Sequence, residues 1–433
     1  MNNQKQGWVV VLVLMMAYVF SFVDRNIVIL LSEVMKKDMG LSDTKVSLLV
    51  GASFALFYSI LGIPLGRLAD VYSRKKIIAV GIALWSIMTA VCGLAKNYGQ
   101  LFLARMGVGV GEAALSPAAY SMISDYFPKE KLATAISVYS LGIYIGSALA
   151  YIGGGYLISI LSDMDNLNLP LIGEIYAWQL VFVIVGLPGL LMALLVLLIK
   201  EPQRQSEQGE EALPFQAVWT YLKENGQTFF LLCAAFAFFY VAVYATSTWI
   251  PPYLIRVHGL SEARVGIIAG VGLLLFPAIG VLSSGFIADK WTAKGIPNAK
   301  IRWSLWATIF FIPATSIYPF MPTTTSTLIA LIPYGILVSA TVGVAAAAIQ
   351  EIMPNRMRGV ASALLILAQN LLGLTLGPTG VALLTDYVFQ DELALGWSLV
   401  IVSASALSIA TVLFYFALKS ADRIEVQENI LDS

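Results

Sequence analysis

Gly66-Arg67-Leu68-Ala69-Asp70-Val71-Tyr72-Ser73-Arg74-Lys75-Lys76 is a short basic stretch set between two long apolar runs. A shorter echo, Gly285-Phe286-Ile287-Ala288-Asp289-Lys290, stands between two apolar runs of the second half. A second echo relates Asp125-Tyr126-Phe127-Pro128 and Lys131 to Glu351-Ile352-Met353-Pro354 and Arg358. Loops of the same chemistry recurring in both halves mark an internal repeat, the pattern of a membrane transporter built from two related bundles.

Composition agrees. The chain has 433 residues, of which 58% are hydrophobic and 12% charged. A soluble domain carries roughly 25% charged residues, so most of this surface must face lipid. Twelve apolar runs are long enough to span a bilayer, with cores near 8–32, 45–68, 77–95, 99–122, 132–158, 177–199, 228–252, 264–287, 303–320, 327–350, 360–385 and 395–418. Pro64, Pro117, Pro188, Pro277, Pro333 and Pro378 fall inside these runs, which membrane helices tolerate. The first run is about 25 residues long and holds Asp24 and Arg25, so it reads as a permanent helix and not a cleaved leader.

With the N-terminus placed inside, 18 of the 26 lysines and arginines fall on the cytoplasmic side and 6 on the outer side, with Arg25 and Arg105 within spans. That bias predicts both termini in the cytoplasm. The longest polar stretch, 200–226, separates spans six and seven. The expected organisation is a six-helix bundle over 1–199, a cytoplasmic linker over 200–226, a second six-helix bundle over 227–418 and a cytoplasmic tail over 419–433. Within the linker, 213–224 has the spacing of a short amphipathic surface helix, with Phe215, Val218, Trp219 and Leu222 on one face.

Several functions are excluded or disfavoured. Net charge is zero, which argues against nucleic acid as a partner. A single histidine and two isolated cysteines exclude a multi-histidine metal site and a disulfide framework, so neither metal nor cofactor is expected. No GxxxxGK[ST] loop appears, which disfavours ATP drive. Paired catalytic aspartates, HExxH and a serine–histidine arrangement are also missing, which disfavours an intramembrane enzyme. A non-transporting receptor or scaffold is a further alternative, which predicts no flux and tolerance of Glu112→Gln.

The stretch from Gly66 resembles the G-x-L-A-D-x-x-G-R-K/R-K/R signature of the major facilitator superfamily, with Val71 and Ser73 as departures. Arg105-Met106-Gly107-Val108-Gly109-Val110-Gly111 in span four is similar to the family's R-x-x-x-G-x-G. Phe22-Val23-Asp24-Arg25, together with Arg105 to Ala113 and Ser116-Pro117-Ala118, resembles the Spinster branch. The resemblance implies an all-α, twelve-helix fold of two pseudo-symmetric bundles, alternating access, and a monomer. It also implies a lipid-like substrate with a charged head, of the sphingosine-1-phosphate or lysophospholipid kind. Short termini and a lack of glycosylation sequons suggest a bacterial inner membrane.

Four charges fall inside spans: Asp24, Arg25, Arg105 and Glu112. Each is expensive in lipid and should face a cavity or a partner. Asp24 lies 16 residues above Trp8 and Arg105 15 residues above Tyr120, or about 24 and 22 Å at ~1.5 Å per residue. Equal depth predicts an Asp24–Arg105 pair, with Gly107, Gly109 and Gly111 leaving a bare surface down to Glu112. Asp24 and Glu112, balanced between desolvation and nearby arginines, are candidate proton sites. Arg105, with its planar fork, suits a phosphate or carboxylate head, and Arg25 either joins it or snorkels outward. The alternative is a permanent salt bridge that only fastens helices.

In the second half Tyr240, Tyr244, Trp249, Tyr334, Gln369 and Asn370 are candidate substrate contacts, the alternative being ordinary packing. Asp70, Arg74, Lys75, Asp125, Lys131, Asp289, Glu351 and Arg358 form a candidate cytoplasmic gate, the alternative being charges that only set topology. Together these readings favour a proton-coupled carrier of a lysophospholipid-like lipid. A symporter or antiporter of a small organic anion or drug is the competing reading.

Overall fold

The computed structural model describes residues 3–162, 167–169, 173–203, 219–223, 226–354 and 357–431. Helices account for nearly all of them. The first half comprises α1 (Asn3–Met39), α2 (Asp43–Ser47), α3 (Ser53–Val71), α4 (Arg74–Cys92), α5 (Tyr98–Glu112), α6 (Leu115–Tyr126), α7 (Lys129–Ser162), α8 (Ala177–Gly186) and α9 (Pro188–Leu198). The second comprises α10 (Gln227–Arg256), α11 (Glu262–Ala293), α12 (Ala299–Ile317), α13 (Thr324–Leu337), α14 (Val342–Ile352), α15 (Arg358–Leu383) and α16 (Leu395–Leu431). Ten of the helical stretches are long and apolar enough to cross a bilayer. The α5–α6 pair and α12 complete twelve spans. A two-stranded hairpin, β1 (Leu167–Leu169) with β2 (Gly173–Ile175), sits between spans five and six. Of the expected linker helix, 213–218 and Glu224 lie outside the described residues, and 219–223 are helical.

Local sequence explains where spans break. Span two passes from α2 to α3 through a π-turn at Leu48–Ala52. Span six breaks at Leu187, and α9 restarts on Pro188, where a first-turn proline loses no hydrogen bond. Span four breaks directly after Glu112: α6 restarts at Leu115, with Pro117 in its first turn. Span ten breaks at the corresponding place, between Leu337 and Val342.

The chain divides into two compact units, Met1–Glu207 with Leu254–Leu274, and Gln208–Tyr253 with Leu275–Ser433. In the first unit, α1 lies against α7 because Gly142 and Gly146 present no side chain to it. A Cβ on Gly146 would fall 2.4 Å from the Val19 carbonyl oxygen. The second unit has a core of Phe236, Phe239, Phe311 and Phe414, with small residues such as Ala345, Ala348 and Ala410 between them.

Candidate functional site

The glycines of span four set its geometry. A Cβ on Gly111 would sit 2.7 Å from the Gly81 carbonyl oxygen, and one on Gly109 would sit 2.8 Å from that of Phe54. Gly107 faces Met88. The sequence suggested that these glycines leave a bare surface. They are instead filled by α3 and α4, because helices close up wherever no side chain holds them apart. The closeness brings α1, α3, α4 and α5 together around the four intramembrane charges.

The pairing differs from the one expected from depth. Arg105 reaches Asp24, but its Nη1 donates to the Asp24 main-chain carbonyl at 3.1 Å. The ion pair is Arg25 with Glu112, Nη2 to Oε2 at 2.6 Å. Ser21 donates to the same oxygen at 2.7 Å. Arg25 therefore turns inward and does not snorkel, and Glu112 has a partner on α1. Aromatic faces hold the guanidinium: its carbon is 4.3 Å from the Phe54 centroid, 4.6 Å from Phe22 and 5.2 Å from Tyr58. Such contacts stabilise a partly desolvated cation by ~0.5–2 kcal/mol. One residue of sequence offset decided the outcome. Asp24 and Arg25 are neighbours on α1, so helical rotation sends them in different directions.

Several buried polar atoms of this cluster make no hydrogen bond among the described residues: Asp24 Oδ1, Glu112 Oε1, Arg25 Nε, and Arg105 Nε and Nη2. Trp85 and Thr89 face the Asp24 carboxylate, yet Trp85 Nε1 and Thr89 Oγ1 are also unsatisfied. Each such group is costly to leave unpaired, about 1–3 kcal/mol. Such atoms are concentrated around Asp24, Arg25, Arg105 and Glu112. Access is unequal: the Arg25 side chain is 18% exposed, whereas Arg105 is 1% exposed.

A second cluster sits at the basic loop after span two. Arg74 is buried and every arm of its fork is engaged. It pairs with Asp125, donates to Ser121 Oγ at 2.9 Å, and reaches Glu201 at 3.3 Å and the Pro202 carbonyl at 3.0 Å. Glu201 also accepts from the Ser73 hydroxyl and from the Arg74 backbone N–H. Burial pushes the Glu201 carboxyl up, but these donors and the guanidinium outweigh it and hold it below the ordinary range. Lys75 donates to the carbonyls of Leu197 and Ile199 at 3.1 and 3.2 Å, closing the exposed end of α9. Glu201 was not picked out in the sequence; its only signal was an acid beside Pro202 at the end of span six. The Asp70 side chain lies outside the described residues. Lys131 and Asp289 are exposed and form no ion pair among the described residues. Glu351 pairs with Lys300, and Arg358 caps the Met353 carbonyl at 3.2 Å.

A third cluster was not picked out in the sequence, where Arg256 and Lys36 counted only among the six basic residues of the outer side. Arg256 bridges Glu33 at 2.6 Å and Asp43 at 2.7 Å. Lys36 adds a contact to Asp43 at 2.6 Å. Arg256 ends α10, and Leu254–Leu274 belongs to the first unit.

In the second unit, Tyr244 donates to Asn370 at 3.1 Å. Ser247 and Tyr334 share a hydrogen bond at 3.2 Å, and Tyr240 lies beside Tyr244 with centroids 6.0 Å apart. Trp249 is fully buried, and its indole N–H is spent on the Pro378 carbonyl at 2.9 Å, fastening α10 to α15. Gly373 and Gly377 pack against α10 at Tyr240 and Val241. Gln369 is buried, with its amide nitrogen unsatisfied.

Twelve spans, repeated loops and a charged intramembrane cluster define a multi-pass membrane transporter. The chain belongs to the Major Facilitator Superfamily, whose model matches residues 14–378. Its likeness within that family runs to the Spinster branch. A bacterial homolog to the human lysosomal transporter Spinster, solved inward-facing and unoccupied, matches with a TM-score of 0.76 at 28% identity, covering 96% of each chain. An MFS-type efflux pump of Mycolicibacterium smegmatis is 27% identical over 426 residues, 96% of this chain and 94% of the relative. A hexuronate transporter of Bacillus subtilis is 28% identical over 303 residues, 66% of each chain.

Proposed function

We propose that this transporter carries an amphiphile with an anionic head, a lysophospholipid or a sphingosine-1-phosphate-like lipid, coupled to protons. The observation that supports this reading is the Arg25–Glu112 pair at 2.6 Å, with Arg25 partly exposed and Glu112 buried. A proton on Glu112 would remove the charge that holds Arg25 and free the guanidinium for a phosphate. Asp24 is the second proposed proton site, and Arg105 the cation that balances it. Tyr240, Tyr244, Tyr334, Gln369 and Asn370 are proposed contacts for the rest of the substrate. The proposed cytoplasmic gate centres on Arg74, Asp125 and Lys75, with Asp70, Lys131, Asp289, Glu351 and Arg358 as further members. The proposed setting is a monomer in a bacterial inner membrane with both termini in the cytoplasm. Its proposed six-helix bundles are 1–199 and 227–418, joined by the 200–226 linker.

A carrier of a small organic anion or drug is the second reading. The hexuronate transporter and the efflux pump among its relatives favour it, and a carboxylate would suit Arg25 as well as a phosphate does.

The test uses proteoliposomes that enclose a pH dye under an imposed proton gradient. Added lysophospholipid should move protons in the wild type and not in Glu112→Gln. Flux of labelled lipid without proton movement would remove the coupling. No lipid flux, with uptake of a hexuronate instead, would replace the lipid reading by the second.

A further inference from the structure

We propose that a groove on the second unit binds an anionic phospholipid of the surrounding membrane. The groove is separate from the intramembrane charge cluster, which belongs to the first unit. It runs between α12 and α16 and is closed at one end by Trp291 of the last turn of α11 and Ile296 of the connection that follows. One wall is Arg302, Leu305, Trp306 and Ile309. These residues are spaced i, i+3, i+4 and i+7, so they share one helix face. The other wall is Tyr415 and Leu418.

Polarity runs along the groove in the order of a phospholipid. At the loop end stands the Arg302 guanidinium. Seven residues further along α12 is Ile309, about 10 Å deeper at ~1.5 Å per residue. Asp422 of the antiparallel α16 pairs with Arg302, so Tyr415, seven residues before it, lies level with Ile309 at that deeper end, and Leu305 and Leu418 line the stretch between. Trp306 is 48% exposed, and aromatic side chains of this kind sit at the level where head groups meet acyl chains.

The chemistry of the loop end selects a negative head. Arg302 spends Nε on the Pro297 carbonyl at 2.8 Å and Nη2 on Asp422 at 2.9 Å. Its Nη1 makes no hydrogen bond among the described residues, nor do the indole N–H groups of Trp291 and Trp306 or the Tyr415 hydroxyl. Toward the loop end the donors left for a ligand are thus Arg302 Nη1 and the two indole N–H groups, while the Tyr415 hydroxyl lies deeper. A phosphate diester supplies the acceptors they lack. The segments that rim the groove, 289–302 and 419–423, carry six lysines and arginines against two aspartates. Asp422 also accepts from the Asn298 amide at 2.9 Å. Asp422 thus competes for Arg302 while sharing its carboxylate with Asn298, and Arg302 lines the groove.

Tryptophan quenching by brominated lipids tests this. The protein is reconstituted in mixtures containing dibromo-phosphatidylglycerol or dibromo-phosphatidylcholine, and the Trp306 signal is isolated by subtracting the Trp306→Phe variant. Wild type should favour the anionic lipid by about five-fold, the effect of one basic residue at a membrane surface. Arg302→Gln should bring the ratio close to one while leaving quenching by phosphatidylcholine unchanged, which shows that the groove is intact. Asp422→Asn removes the competing carboxylate and should raise the ratio. A wild-type ratio near one, or the same ratio in Arg302→Gln, would overturn the proposal. So would a ratio that falls in Asp422→Asn. Because no transport is measured, failure of the lipid-carrier reading leaves this result standing.

Discussion

Replacing Glu112 by glutamine removes the charge that Arg25 faces and keeps a side chain of nearly the same shape. Breaking a buried ion pair from one side costs about 3–5 kcal/mol. Arg25 retains some solvent exposure and its three aromatic faces, which places the loss at the lower end, about 3 kcal/mol. In an Arg25→Gln background the same change breaks no ion pair and weakens only the hydrogen bond from Ser21, at about 1 kcal/mol. The double-mutant cycle should therefore give a coupling of about 2 kcal/mol. Equilibrium unfolding in mixed micelles, titrated with SDS and followed by tryptophan fluorescence, measures all four corners. A coupling within ~0.5 kcal/mol of zero would refute the pair as the organising contact of the site. Loss of proton flux in Glu112→Gln alone would then need another cause.

Three further outcomes are expected. The Glu201 carboxyl is held below its unfolded value of 4.5. Its stabilisation is therefore full above that pH and disappears as pH falls through the lower, folded value. Glu201→Gln should flatten the acid limb of the stability–pH curve below 4.5, and an unchanged acid limb would remove Glu201 from the Arg74 cluster. Arg256→Gln leaves Glu33 and Asp43 without their shared cation and should lower unfolding stability by about 3 kcal/mol. Arg256→Lys should recover less than half of that, because one ammonium cannot bridge two carboxylates bidentately; full recovery would contradict the clamp geometry. Gly111→Ala drives a Cβ toward the Gly81 carbonyl and should destabilise by roughly 1–3 kcal/mol. Gly153→Ala meets nothing within 4 Å and should be neutral or stabilise by about 0.5–1 kcal/mol. Equal effects in the two variants would show that close packing of α4 and α5 is not what requires Gly111.

Much of the intramembrane site was legible because charge in lipid is rare. Asp24, Arg25, Arg105 and Glu112 stand out from any apolar background. Their partners were not legible. Depth counting placed Asp24 level with Arg105, and the two do meet, but through the Asp24 carbonyl. Counting residues gives height along a helix and leaves rotation about it undetermined, so the neighbour Arg25 became the partner of Glu112. Glu201 and Arg256 were missed for a different reason. Their partners lie 127 and 223 residues away, and a charged residue at a span end already has an explanation in topology.

The sequence by itself determined the number of spans, their repeat, the family likeness and the identity of the buried charges. Each of these follows from one-dimensional quantities: hydropathy over about 20 residues, loop spacing, and residues that lipid does not tolerate. Tertiary structure alone decided which charge meets which, that the glycines of span four are filled by neighbouring helices, and that Trp249 fastens two helices. Those outcomes depend on the azimuth of each helix and on how closely its backbone approaches the next. Both are set by the packing of many side chains together, and neither is written at any single position.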